Sequence, residues 1–281
     1  MSASRDDRVL PATRAVAALI VPFLLGAAAI LYLWPDNTAE LFAWTIAPRM
    51  TPLLMGAGYG AGAYFFIRAI FARRWHHVAV AFPPVTVFAA AMGIATLLHW
   101  DRFNHQHITF FTWAALYATT PFIVLGIWLL NRRADPGGPD PDDLVLPIAV
   151  RWLMGCFGAG ALAFGLLFFV FPDPMIGFWP WRLTPLTARV VCGFVFALPG
   201  VFGLGAALDR RWSTARVALQ GQMLWVTLTL FGVVRAWGDF DAANVVTWWF
   251  VAAMVVLLTS GAALYARMEI RRWTVRGAAL P

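Results

Sequence analysis

Eight apolar stretches, each about as long as a bilayer is thick, constrain this chain more than any other feature. They cover roughly 14–33, 51–72, 78–99, 109–130, 146–171, 186–208, 214–236 and 243–267. A helix rises 1.5 Å per residue, so about 20 residues cross a hydrocarbon core of about 30 Å. Lipid satisfies no exposed backbone group, and none of the runs alternates as barrel strands do, so each is expected to be a helix. Composition agrees: 61% of the 281 residues are hydrophobic and 12% charged, against about 25% charged in soluble domains. One water-soluble core of this length cannot bury so much apolar surface. The fold class expected is all-α, a polytopic integral membrane protein of about eight transmembrane helices. The first run has a basic start and Ala27-Ala28-Ala29, as a signal peptide would, but it is long enough to span.

All 21 basic residues are arginine, and they are not spread evenly. With the N-terminus placed in the cytoplasm, sixteen fall on the inner side and only Arg49, Arg102, Arg182, Arg189 and Arg235 on the outer side. That is the positive-inside pattern, and it requires an even number of crossings. The localisation expected is the bacterial inner membrane, with both termini cytoplasmic. The net charge of +7 is accounted for by this segregation, so no nucleic-acid partner is expected.

The chain also resembles itself. Pro35-Asp36 matches Pro172-Asp173 at a spacing of 137 residues, and the same spacing joins Trp44 to Trp181, Pro48 to Pro185, Gly56 to Gly193, Arg73-Arg74-Trp75 to Arg210-Arg211-Trp212, and Trp100 to Trp237. The Thr-Pro-Leu turns at Thr51 and Thr184 match better at 133, so the turn itself is expected to differ. Two tandem parallel four-helix repeats follow, residues 1–130 and 146–281. The Pro-, Gly- and Asp-rich segment 131–145 is expected to be a flexible cytoplasmic linker.

Gly56, Gly58, Gly60 and Gly62, and the small residues Gly155, Ala159, Ala161, Ala163 and Gly165, are expected to let helices approach closely in lipid. No strand precedes the glycines and no acidic residue follows them as a dinucleotide fingerprint requires. Pro83-Pro84, Pro121 and Pro199 are expected to kink their helices. Cys156 and Cys192 fall at different depths of antiparallel helices, too far apart for a disulfide.

No Asp or Glu lies in the middle of a predicted helix, which argues against an ion-driven carrier. Polar groups gather instead on the outer side, among tryptophans of an interfacial belt. Arg189 and Arg235 lie about one turn inside their helices, where a charge needs a partner. With Trp181 and Trp237 as walls, they form a candidate site for a phosphate, carboxylate or lipid head group. Asp36, Trp44, Arg49 and Asp173 complete the ligand-binding candidates. The competing reading is that the two arginines pair with Asp173, Asp101 or Asp239. His99, Asp101, His105 and His107 are the one metal-like set, with donors suited to Zn or Cu. No catalytic residue is assigned and no other cofactor is expected: the chain has no G-x-S-x-G and no H-E-x-x-H. His76 and His77 are expected to touch lipid head groups, and Gln220 and Gln222 to bond between helices.

The pieces FAWTIAPRMTPLLMGAGYGAG and PWRLTPLTARVVCG resemble a family of multi-spanning membrane proteins of actinomycete-type bacteria. The resemblance implies the membrane fold and supplies no catalytic residue. A fainter likeness to the tryptophan-rich sensory proteins rests on Trp-x-x-x-Pro near helix starts, and helix number and duplication depart from it. The functions in view are binding or transport of an anionic small molecule or lipid head group at the outer face, assembly with membrane-protein partners, and a metal-dependent membrane enzyme at the histidines.

Overall fold

The computed structural model describes residues 6–138 and 143–278. Its eight long helices are α1 (Pro11–Leu33), α2 (Met50–Phe71), α3 (Phe82–Leu98), α4 (Ile108–Asn131), α5 (Ile148–Val170), α6 (Pro185–Asp209), α7 (Trp212–Arg235) and α8 (Val245–Ala278). A short turn, His76–Ala79, precedes α3 and extends its apolar span. All eight are long and apolar enough to cross a membrane. Among the described residues there is no strand, only two isolated antiparallel bridges. The chain is a multi-pass membrane protein in a lipid bilayer, as its hydropathy predicts.

Successive helices run antiparallel, as their contacts show: Gly56 packs on Tyr32 and Gly62 on Leu24 across α2 and α1, and Gly158 packs on Gly200 and Gly203 on Met154 across α5 and α6. The first and last described residues therefore emerge at one end of the bundle, the terminal end; the opposite end is the distal end. Helices α2, α3, α6 and α7 are central, with 44–61% of their apolar windows buried. Helices α1, α4, α5 and α8 are peripheral, at 11–28%. Their exposed Phe122, Trp152, Leu166 and Trp249 are what lipid contact requires.

Small residues set the closest crossings. A Cβ on Gly158 would lie 2.7 Å from the Gly200 carbonyl oxygen and 2.8 Å from the Leu204 nitrogen, and one on Gly203 would lie 2.7 Å from the Met154 oxygen. So α5 and α6 meet backbone to backbone at Gly158, which is not among the expected positions, while the expected Gly155 and Gly165 also face α6, a Cβ on them lying 3.5 Å from Ala207 and 2.9 Å from Phe196. Of the prolines expected to kink their helices, Pro83 and Pro84 do not lie in a helix interior: they sit in the first turn of α3, where a missing N–H costs nothing. Pro199 opens the last segment of α6, just after a π-helical turn at Gly193–Ala197. Pro121 lies inside α4. Both cysteines are free thiols.

Several backbone contacts occur in pairs. Trp75 N–H donates to the Asp7 carbonyl (2.7 Å), and Trp212 N–H to the Leu144 carbonyl (2.8 Å). Asn104 N–H donates to the Ala43 carbonyl (2.8 Å), and Asp241 N–H to the Pro180 carbonyl (3.2 Å). The two isolated bridges join Arg8 to Arg74 and Val145 to Arg211. Every residue in the second member of each pair lies 137 positions beyond its counterpart in the first.

Ion pairs and hydrogen bonds tie the described residues of the terminal end together; residues 139–142 of the expected linker lie outside the described residues. Arg211, only 5% exposed at its side chain, is held between Asp209 (2.7 Å) and Asp135 (2.8 Å). Burial alone would raise the Asp135 pKa, but the Arg211 hydrogen bonds outweigh it and hold that carboxyl below its ordinary range. Asp143 accepts from the Ser213 N–H (3.1 Å) and hydroxyl. The described flanks of the linker are thus tied to the start of α7. His76 is wholly buried, its Nδ1 2.6 Å from Asp7 Oδ2, so it holds the N-terminal segment in place instead of meeting lipid.

Candidate functional site

The outer-face residues singled out in the sequence sit at the distal end but do not converge on one pocket. Arg189 leaves α6 towards α3, and its Nη1 lies 2.8 Å from His99 Nε2 and 3.3 Å from the Pro185 carbonyl. Its buried Nε has no hydrogen-bond partner, and no carboxylate lies within ion-pair distance among the described residues. Arg235 is elsewhere: it donates to the Tyr32 carbonyl (2.6 Å) and lies over the Tyr32 ring at 5.3 Å, on α1. Neither arginine takes the expected Asp101, Asp173 or Asp239. Asp173 is exposed. Asp239 instead accepts from the Met50 N–H (2.7 Å) and so caps the N-terminus of α2. Asp36 and Arg49 pair with each other at 3.0 Å.

The tryptophans are structural in different ways. Trp181 is buried and donates from Nε1 to Thr51 Oγ1 (2.9 Å), tying the α5–α6 connection to α2. Trp44 is equally buried, packed on Phe42, Phe103 and Trp113, but its Nε1 has no partner. Trp237 stacks on Phe240 near the surface. The Thr-Pro turns differ as their spacing foretold. Thr184 and Thr187 form a capping box that starts α6, whereas Thr51 lies inside α2 and serves Trp181.

The four metal-candidate residues point apart. His99 faces Arg189, Asp101 pairs with Arg102 (3.3 Å), His105 packs between Trp100 and Phe110, and His107 accepts from the N–H of Thr109, two residues on. Among the described residues no three His, Cys, Asp or Glu side chains gather where a metal ion would sit. Burial first, then the neighbouring Arg189, hold His99 below its ordinary pKa, so it is a neutral acceptor for that arginine.

The structure adds a site that charge-based reading missed. A cavity of about 200 Å³ lies at mid-depth between the two halves, bounded by α1, α2, α3 and α4 of the first and by α6 and α7 of the second. No charged residue lines it. Its polar groups are Thr120, the Trp113 indole N–H (given to Thr96), the Trp225 indole N–H (buried, with no partner among the described residues), a pair of phenols (Tyr59 and Tyr117, 2.7 Å apart) and the Gln222 amide. Gln220 is engaged, by Tyr64, Arg68 and Tyr265; Gln222 makes no hydrogen bond among the described residues. The available signal was two tyrosines in mid-run among 23 phenylalanines, since a phenol in lipid must find a partner. None of the outer-face candidates lines this cavity. The chain matches no protein-family model, no curated protein and no solved structure.

Proposed function

We propose that this is an inner-membrane protein with cytoplasmic termini that binds an anionic lipid head group, or a small anion of like chemistry, beside Arg189 at the outer face. The observation that carries the reading is Arg189 itself. It is a half-buried cation at a helix end, with one neutral side-chain partner, a buried unpaired Nε and no carboxylate. An uncompensated guanidinium at that depth is costly, and a phosphate or carboxylate offers the bidentate acceptor it lacks. Arg235, similarly without a carboxylate, is a second contact for head groups at a separate crevice. The sixteen-to-five division of arginines supports the orientation. The paired contacts 137 residues apart support a duplication, in which residues 1–130 and 146–281 are parallel four-helix copies joined by 131–145.

Native mass spectrometry of protein gently extracted from its own membrane tests the binding. The expected result is a retained anionic lipid or small anion, and Arg189→Gln lowers its occupancy about tenfold or more, since a charge-assisted hydrogen bond contributes about 1.5–3 kcal/mol. Equal retention by wild type, Arg189→Gln and Arg235→Gln, all folded, refutes the reading. A bare chain that co-purifies with other membrane proteins favours an assembly role instead.

A further inference from the structure

The mid-membrane cavity lies away from the Arg189 crevice, and its lining speaks to a different ligand. We propose that it binds a neutral, ring-headed lipid with a carbonyl or hydroxyl oxygen on the ring, admitted sideways from the bilayer between α1 and α4. Three observations lead there. The first is adjacency. A groove of about 510 Å³ runs between α1 and α4, and Ile20, Phe23, Leu116 and Thr120 line both groove and cavity. These four side chains stand between the two spaces, so an entrance formed by their rotation opens on the lipid-facing side, through walls that suit an aliphatic chain and repel a solvated solute.

The second is size. About 200 Å³ is somewhat more than the roughly 150 Å³ that holds one benzene ring in an apolar protein cavity. It admits a substituted ring and leaves the tail in the groove. The third is polarity. Gln222 lines the cavity with an amide that makes no hydrogen bond among the described residues, at the depth where α7 packs against Ala61 of α2. In the Tyr59–Tyr117 pair one phenol donates to the other, so one hydroxyl proton is left over. An amide and a phenol that donate into an otherwise apolar, uncharged space fit the oxygen of a quinone or phenol ring. They do not fit a phosphate, for which the cavity holds no cation, nor a plain acyl chain, which would leave the amide unpaired.

The test uses the full-length protein in detergent, with decyl-substituted benzoquinone as the ring-headed probe and decylbenzene as the headless control. Binding is followed by quenching or shift of tryptophan emission, since Trp113 and Trp225 line the cavity. The expected result is saturable quinone binding that weakens about tenfold in Gln222→Leu, a change of little volume, and is lost in Thr120→Phe, which plugs the mouth from a half-exposed position. Arg189→Gln leaves it unchanged, which separates this site from the head-group site. Circular dichroism and thermal melts confirm that each variant is folded. The proposal is overturned if the quinone does not bind saturably, if Thr120→Phe binds it as wild type does, or if decylbenzene binds as tightly as the quinone and Gln222→Leu affects neither.

Discussion

The two halves of the molecule share a set of paired backbone contacts 137 residues apart and surround them with different side chains. In the first half Gly58, Tyr59, Ala61 and Tyr117 border an open cavity. The residues 137 positions on are Val195, Phe196, Leu198 and Met254. Val195, Phe196 and Met254 pack into a dense cluster around Trp179, Trp181 and Phe250, while Leu198 lines the same cavity. Small and phenolic side chains leave space and hydrogen-bonding capacity; larger apolar ones remove both. The terminal end shows the same contrast. Asn131 of the first half accepts from Thr13 (2.8 Å) and donates to the Arg8 carbonyl (2.9 Å), where the second half has Met268 packed with Val150. Where the first half carries the phenol or amide, the second half has an apolar side chain.

The largest effect expected is in the tight half. Gly158→Leu forces a side chain into the Gly200 carbonyl and Leu204 nitrogen. Neither atom can rotate away, so over-packing reaches about 3 kcal/mol or abolishes folded protein. At Gly26 of α1 an added Cβ meets nothing within 4 Å, and Gly26→Leu is expected to leave stability within about 0.5 kcal/mol. Thermal melts monitored by size-exclusion recovery compare the two directly. Similar losses at both positions would mean that α5–α6 is no more tightly packed than α1 against its surroundings.

A smaller effect probes the equivalence itself. Trp181 has Thr51 as acceptor; the mirrored contact would join Trp44 to position 188, which is alanine, and Trp44 Nε1 is unpaired. Thr51→Val is expected to cost about 1–2 kcal/mol by orphaning a buried indole N–H. Ala188→Ser is expected to gain up to about 1 kcal/mol by supplying Trp44 with its missing oxygen. Loss of stability in Ala188→Ser, with Thr51→Val behaving as stated, would break the proposed correspondence at this turn.

Why some of this was legible in the sequence and some was not is a matter of range. Helix number, length and antiparallel order follow from hydropathy, a local property that lipid enforces at every residue. The Thr-Pro start of α6 was also local, because its capping box lies within four residues. The partners of Arg189, Arg235 and Asp239 were not. His99 and Arg189 are 90 positions apart and Asp239 and Met50 are 189 apart, and helix rotation, not spacing, decides whether such groups meet. His76 looked like a surface histidine beside Arg74 and is buried because Asp7 folds back over it. The cavity was hidden for a related reason. Glycines pressed against a neighbour and glycines beside open space have the same sequence signature; only the fold shows that Gly56 meets Tyr32 and Gly58 meets the Phe194 ring, while Gly58 and Gly62 also line the cavity.

The smallest effect tests whether the distal crevice belongs to the second half's arginine or to a bound anion. Burial, and after it Arg189, depress the His99 pKa below 6.5, while Asp101 works the other way and Arg102 with Arg189. The unfolded chain then binds more protons than the folded one between the depressed value and 6.5. Stability is therefore intact above pH 6.5 and declines as pH falls through that window. Arg189→Gln removes the second cause and leaves the first, so nitrogen-resolved NMR of the imidazole is expected to show the His99 pKa rising part of the way back. The decline in stability shrinks with it. Inorganic phosphate supplies the opposite charge without mutation. If it seats on Arg189 it raises the His99 pKa in the wild type and not in Arg189→Gln. A phosphate-induced shift of equal size in the two proteins would place the anion elsewhere and leave Arg189 as a structural contact between α6 and α3.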